Sequence, residues 1–172
     1  MSMRTVVFIL SCFFLQSVSG QATSPCNLPE AQQFDFWLGD WNLSWSDSLH
    51  GINHVEKILG NCTVQENFYD PSTNMTGKSW SVYNPALKLW QQTWVDNQGG
   101  YIVLNGGMRG DSMILVTGDR AVPKTMSPSG KMISRMVFYT IKPNSFDWDW
   151  ESSTDNGKSW NSNWLIHYKR NK

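Results

Sequence analysis

The chain has 172 residues, with 14 basic and 14 acidic side chains, 10 tryptophans and three cysteines. A formal net charge of zero removes the electrostatic case for nucleic acid or an anionic membrane surface as a partner. The length suits one domain with a single sizeable core, and the tryptophan usage is far above ordinary.

In chain order the first feature is a leader. Arg4 supplies a basic start, "TVVFILSCFFL" an apolar run of signal-peptide length, and "SVSG" small or modest residues before a cut after Gly20. Residues 1–20 are expected to be a signal peptide and 21–172 the mature domain, secreted and extracellular. The apolar run is too short to span a bilayer and nothing later replaces it, so no membrane insertion is expected. Losing Arg4 and no acid moves the net charge from zero to minus one. The expected partner is a small, neutral or apolar molecule.

Cys12 leaves with the leader. The remaining Cys26 and Cys62 most economically form one disulfide in an oxidising compartment. Zinc would need two further ligands, and only His50, His54 and His167 are on offer. No metal or cofactor is expected. The sequons at Asn42 ("NLS"), Asn61 ("NCT") and Asn74 ("NMT") agree with secretion, and any occupied one must face water.

"PEAQQFDFWLG" reads as one short helix stopped by Gly39. After it come ten segments of strand character: "WNLSWS", "NHVEKIL", "CTVQENFY", "GKSWSVYN", "LKLWQQTWV", "GYIVLNG", "SMILVTG", "KMISRMVFYT", "SFDWDWES" and "SWNSNWLIHYK". Connectors such as "DPSTN", "DNQGG", "IKPN" and "TDNG" carry turn chemistry. The fold class is therefore all-β: a single antiparallel up-and-down barrel of about ten strands, because closure removes exposed edges.

Alternation assigns faces. Trp41, Leu43 and Trp45 share one face, opposite Asn42, so a glycan on Asn42 would turn both tryptophans inward. The same reasoning groups Trp90, Gln92 and Trp94, then Val64, Glu66 and Phe68, then Arg135, Val137 and Tyr139, as inward sets. Aromatics mixed with placed polar groups suit a ligand cavity better than a solid core of Leu, Ile and Val. Simple packing of tryptophan is the alternative. Glu66 and Arg135, both taken as internal, are expected to pair, with Gln92 and Tyr139 in the network. The pair would orient a ligand's polar head or serve as a structural network.

Other chemistry is thin. "FDWDWE" puts Asp147, Asp149 and Glu151 on one strand face, a solvated face or a calcium site. His167 is expected to point outward, opposite Trp164, Ile166 and Tyr168, which argues against an axial haem ligand. There is no G-x-S-x-G elbow and no phosphate loop before a helix. "SSTDNGKSW" fits S-x-D-x-G-x-x-W, the Asp-box of sialidase-type propellers, in a single copy; it is read as a hairpin corner in which Asp155 bonds turn N–H groups. "GDRAVPKTMSPSGK", from Gly118 to Lys131, is the longest connector, a lid over one barrel end or a hairpin tip.

"FDFWLGDW", from Phe34 to Trp41, resembles the N-terminal signature of a family of small lipocalin-like, or fatty-acid-binding-protein-like, barrel domains of unknown function. The resemblance continues through Gly60, Cys62, Glu66, "GKSWSVYN", "WQQTWVDNQG", Arg135 and the hairpin ending in "WLIHYKR", covering nearly the whole mature chain. It implies the barrel and no transferable catalytic residue. Family positions would be Trp37, Trp41, Glu66, Tyr83, Trp90, Gln92, Trp94, Asp96, Arg135 and Trp160.

The expected function is binding of a small, largely apolar ligand in an aromatic-lined cavity, through Trp41, Trp45, Glu66, Tyr83, Trp90, Gln92, Trp94, Arg135 and Tyr139. Two alternatives stand beside it. One is an extracellular structural, matrix or interaction protein with a filled barrel. The other is an enzyme acting on a small hydrophobic substrate with Glu66 as acid or base.

Overall fold

The computed structural model describes residues 24–46, 50–117 and 132–171. The expected signal peptide and the Gly118–Lys131 connector lie outside the described residues.

Among the described residues ten strands form: β1 (Gly39–Ser44), β2 (His50–Ile58), β3 (Thr63–Asp70), β4 (Met75–Asn84), β5 (Leu89–Asp96), β6 (Tyr101–Arg109), β7 (Ser112–Thr117), β8 (Ile133–Lys142), β9 (Ser145–Ser153) and β10 (Asn161–Arg170). Each pairs antiparallel with the next, and β10 returns to β1 to close an up-and-down barrel. Each expected segment corresponds to one strand, because period-2 burial is written plainly in them. On β2, Gly51, Asn53 and Val55 are buried while Ile52, His54 and Glu56 are exposed. On β4, Gly77, Ser79 and Ser81 point in and Lys78, Trp80 and Val82 point out.

The short helix expected over Pro29–Gly39 is present in 3-10 form, as Pro29–Gln32 and Asp35–Trp37, with a further 3-10 turn, Pro25–Asn27, before it. Pro25 and Pro29 each start a turn, and the residue before Pro29, Leu28, is held extended at φ −64°, ψ 145°. Gly39 then enters β1 at φ +114°, where a side chain would also strike Arg170 Nη1 at 2.5 Å. That guanidinium lies 4.2 Å over the Trp41 ring and donates to Leu38 O at 2.8 Å.

These turns plug one end of the barrel. Phe34 and Trp37 are buried and meet Trp90 and Phe138, with Phe34–Trp90 edge-to-face at 4.8 Å and Trp37–Phe138 at 5.0 Å. Phe36 packs on Phe138 and Phe146. Burial of each such ring stabilises by roughly 2–3 kcal/mol. Two tethers hold the plug from outside. Cys26 and Cys62 form the expected disulfide, with Cα atoms 4.8 Å apart, and Lys57 Nζ lies 2.6 Å from Asp35 Oδ1 while also donating to Gln32.

The face of β8 differs from expectation. Arg135, Val137 and Tyr139 lie opposite Glu151, Asp149 and Asp147 of β9, on the outer face of the barrel, where Val137 and Asp149 are themselves buried, while Met136 and Phe138 point inward. The run "RMVFY" is apolar on both faces, so alternation alone does not choose between them. Charge chooses instead. Arg135 pairs with Glu151 on the solvent side, and its guanidinium sits 4.0 Å over the Trp160 ring.

The "TDNG" corner joining β9 to β10 is a hairpin turn. Asp155 Oδ1 accepts from the Lys158 and Ser159 amides at 3.0 and 2.9 Å, and Ser153 Oγ accepts from the Gly157 amide at 2.8 Å. Bonds from Ser159 and Ser153 hold the Asp155 carboxyl well below the usual range. Asn156 and Gly157 supply the positive φ values, 63° and 85°.

Candidate functional site

The plug fills one end of the barrel; the other end is lined differently. Between Trp37 on the floor and the termini of β3 to β6, β9 and β10 lies a cavity of about 180 Å³. Half of the residues that line it are aromatic. Trp94 (β5), Phe68 (β3), Trp164 (β10) and Trp148 (β9) form a continuous series of edge-to-face contacts at 5.9, 5.9 and 5.8 Å. Trp150 stacks beside Trp148 at 6.3 Å. Met75, Ile102, Leu104, Met136 and Ile166 complete the apolar lining. An apolar cavity of about 150 Å³ accommodates benzene, so this space suits a single-ring molecule.

Gly77 on β4 makes one wall. A Cβ at that position would fall 2.0 Å from the Trp94 ring, so only glycine lets the indole lie across the strand. Trp94 Nε1 then donates to Asp96 Oδ2 at 3.0 Å, and Asp96 Oδ1 takes the Gln98 and Gly100 amides at 2.9 and 2.7 Å. Burial pushes the Asp96 carboxyl up, but these bonds from Trp94, Gly100 and Gln98 outweigh it and hold it below the usual carboxylate range. Asp96 is thus an anion at the cavity's edge.

Glu66 supplies the deeper polar group. It is 6 % exposed and receives Asn53 Nδ2 on Oε1 at 2.7 Å and Ser79 Oγ on Oε2 at 2.6 Å. Gln92 Nε2 extends the chain to Ser79 and Ser81 Oγ at 3.3 and 2.9 Å, and Asn53 Nδ2 also reaches Tyr168 Oη at 3.2 Å. Burial raises the Glu66 carboxyl to about 7, against the opposing bonds from Ser79 and Asn53. Burial and the Glu66 charge push the Tyr168 phenol well above its ordinary range. Asn53 Oδ1, Gln92 Oε1 and Trp37 Nε1 are buried without a partner among the described residues.

Of the nine residues expected at the site, Glu66 and Trp94 line this cavity. Gln92 stands behind Glu66, linked to it through Ser79, and Trp45 backs the wall against Phe68 and Trp164. Trp41, Tyr83 and Trp90 belong to the plugged end: Trp41 Nε1 donates to Trp37 O at 2.7 Å, Trp90 Nε1 to Glu30 O at 3.2 Å, and Tyr83 packs on Trp90. Arg135 and Tyr139 are on the outer surface, so the expected Glu66–Arg135 pair does not form. The partners of Glu66 are the neutral Asn53 and Ser79. Of the lining residues outside the expected set, Trp37 and Asp96 are positions of the family resemblance, and Trp148, Trp150 and Trp164 are legible in the sequence only as one face of their strands.

The carboxylates of "FDWDWE" find partners on the outer face. Asp147 takes His167 and Thr140, Asp149 accepts from Ser162 at 2.7 Å, and Glu151 takes Arg135. Among the described residues no cluster of three His, Cys, Asp or Glu side chains is placed to hold a metal ion. Asn42, Asn61 and Asn74 are exposed. No helix among the described residues is long and apolar enough to cross a membrane.

A second, larger groove of about 510 Å³ runs along the plugged end beside Tyr83, Lys88, Trp90 and Arg109. Glu30, Leu87, Lys88 and Arg109 on its edge are exposed, so the groove offers a solvated surface rather than a dry site.

The chain matches no protein-family model, and no curated protein matches it.

Proposed function

We propose that this protein is a secreted, glycosylated binding protein whose barrel takes a small, largely apolar molecule of single-ring size, and that it belongs to the barrel family its "FDFWLGDW" motif resembles. The observation that carries the reading is the aromatic-walled cavity with a single buried carboxyl on its floor. Its volume argues against a long-chain fatty acid. The disulfide fits an oxidising compartment.

The acid–base enzyme alternative has one supporting fact, a Glu66 carboxyl raised to about 7. Both of its oxygens already accept hydrogen bonds, and the other acid lining the cavity, Asp96, is held by its own turn. The matrix alternative would need a contiguous exposed apolar surface. The exposed large hydrophobics among the described residues, Ile52, Leu59, Trp80, Val82, Leu87, Tyr101, Met132 and Leu165, are instead spread over β2, β4, β6, β10 and three connectors.

Titration of the disulfide-intact protein with toluene, phenol and oleate, followed by tryptophan emission, tests the reading. The two ring probes should give saturable changes that Ile102→Phe, which adds bulk to the cavity wall, weakens at least tenfold. Preferential response to oleate, or ring-probe binding indifferent to Ile102→Phe, would refute it.

A further inference from the structure

The cavity's charge is one-sided. Its ionisable lining consists of Glu66, Asp96 and the phenol of Tyr168, and none of its lining residues is Lys, Arg or His. A buried carboxylate ordinarily has a cation beside it, because an unpaired charge out of water is costly. Glu66 has only Asn53 and Ser79. The arginine that the sequence offers as its partner is committed outside, between Glu151 and Trp160. Two acceptor oxygens in the network behind Glu66, Asn53 Oδ1 and Gln92 Oε1, are also without a partner among the described residues.

The walls carry the same sign. Five tryptophans, Phe68 and Tyr168 line the space, and aromatic faces are the negative lobes of the ring quadrupole, which attract cations. Desolvation inside a cavity strengthens that attraction. A carboxylate ligand would meet two acids and no donor cation, so the fatty-acid chemistry of similar-looking barrels is disfavoured by charge as well as size.

Resting on the cavity being the binding site, we infer that its occupant is a small organic ammonium ion, with its cationic head held by Glu66 and the surrounding indole faces. The groups facing Glu66 from neighbouring elements are Asn53 and Val55 on β2, Ser79 on β4, Gln92 and Asp96 on β5, Tyr168 on β10 and Trp37 from the plug. Asp96 is already ionised in neutral solution and Tyr168 is protonated, so Glu66 is the group whose titration the cation feels.

Phenyltrimethylammonium and tert-butylbenzene have the same shape and differ in charge, and the cation's charge is independent of pH. Calorimetric titration of the full mature protein, disulfide intact, compares them with 3-phenylpropanoate at pH 8 and again at pH 6. The cation should bind at least tenfold more tightly than the hydrocarbon at pH 8 and weaken several-fold at pH 6, where Glu66 is mostly protonated, while the hydrocarbon is unmoved. Glu66→Gln should remove the pH dependence and reduce the preference to the part that Asp96 and the indole faces supply. Equal or tighter binding of tert-butylbenzene, or preferred binding of 3-phenylpropanoate, overturns the ammonium assignment while leaving the cavity as a binding site. Binding of none of the three overturns the cavity reading itself. The wild-type comparison needs no variant, so a misfolded Glu66→Gln protein would not rescue the proposal.

Discussion

Replacing Glu66 with glutamine should stabilise the protein in neutral and mildly alkaline solution. The Glu66 carboxyl rises from 4.5 to about 7 because burial penalises its charge more than the Ser79 and Asn53 bonds favour it. Between those two values the folded state holds a proton that the unfolded state has released. The contribution of Glu66 to stability is therefore full below pH 4.5, declines as pH rises, and is at its minimum above pH 7. At about 1.4 kcal/mol per pH unit, the separation amounts to about 3 kcal/mol in total. Glutamine keeps a hydrogen-bonding amide in the same volume and carries no charge. Urea unfolding monitored by tryptophan emission at pH 5 and pH 8 measures the difference between wild type and Glu66→Gln. Wild type should lose about 2–3 kcal/mol more than the variant between those two conditions. Identical pH dependence in the two proteins would refute the claim that Glu66 is buried without a compensating cation.

Other perturbations test the frame around it. Gly77→Ala forces a methyl group into the Trp94 ring, so unfolding should show a loss of about 1–3 kcal/mol and a changed tryptophan emission maximum. An unperturbed spectrum would contradict the placement of that indole. Removing the disulfide by Cys26→Ser with Cys62→Ser opens a loop of sequence separation 36 and should cost about 3–4 kcal/mol in chemical denaturation. Arg135→Ala removes an outer ion pair and the contact over Trp160. It should cost about 1 kcal/mol of stability and leave probe binding in the calorimeter unchanged, whereas a binding defect would return Arg135 to the interior.

The barrel was legible because ten segments alternate at period 2 and are separated by turn residues; a sheet with ten such members and no helix layer has closure as its natural solution. The disulfide followed from counting. Faces were legible wherever one side of a strand was clearly polar, as on β1, β3, β5 and β10. They were ambiguous on β8, where Met136 and Phe138 alternate with Val137 and Tyr139 and both sets are hydrophobic. That ambiguity carried the expected Glu66–Arg135 pair with it. The plug was hidden for a different reason. "FDFW" looks like ordinary helix content, and nothing local says that Phe34 and Trp37 will turn back into the barrel, which is decided by Trp90, Phe138 and Phe146 from distant strands. Division of the barrel into a filled end and a hollow one follows from that long-range packing, so Trp41 and Trp90 could not be separated from Trp94 by sequence alone.

The location of a bound probe tests the account most directly. In the disulfide-intact protein with phenyltrimethylammonium at saturation, intermolecular nuclear Overhauser effects should connect the N-methyl protons to the indole protons of Trp94, Trp148 and Trp164. Contacts instead to Tyr83 and Trp90, along the groove at the plugged end, would contradict a binding site inside the barrel.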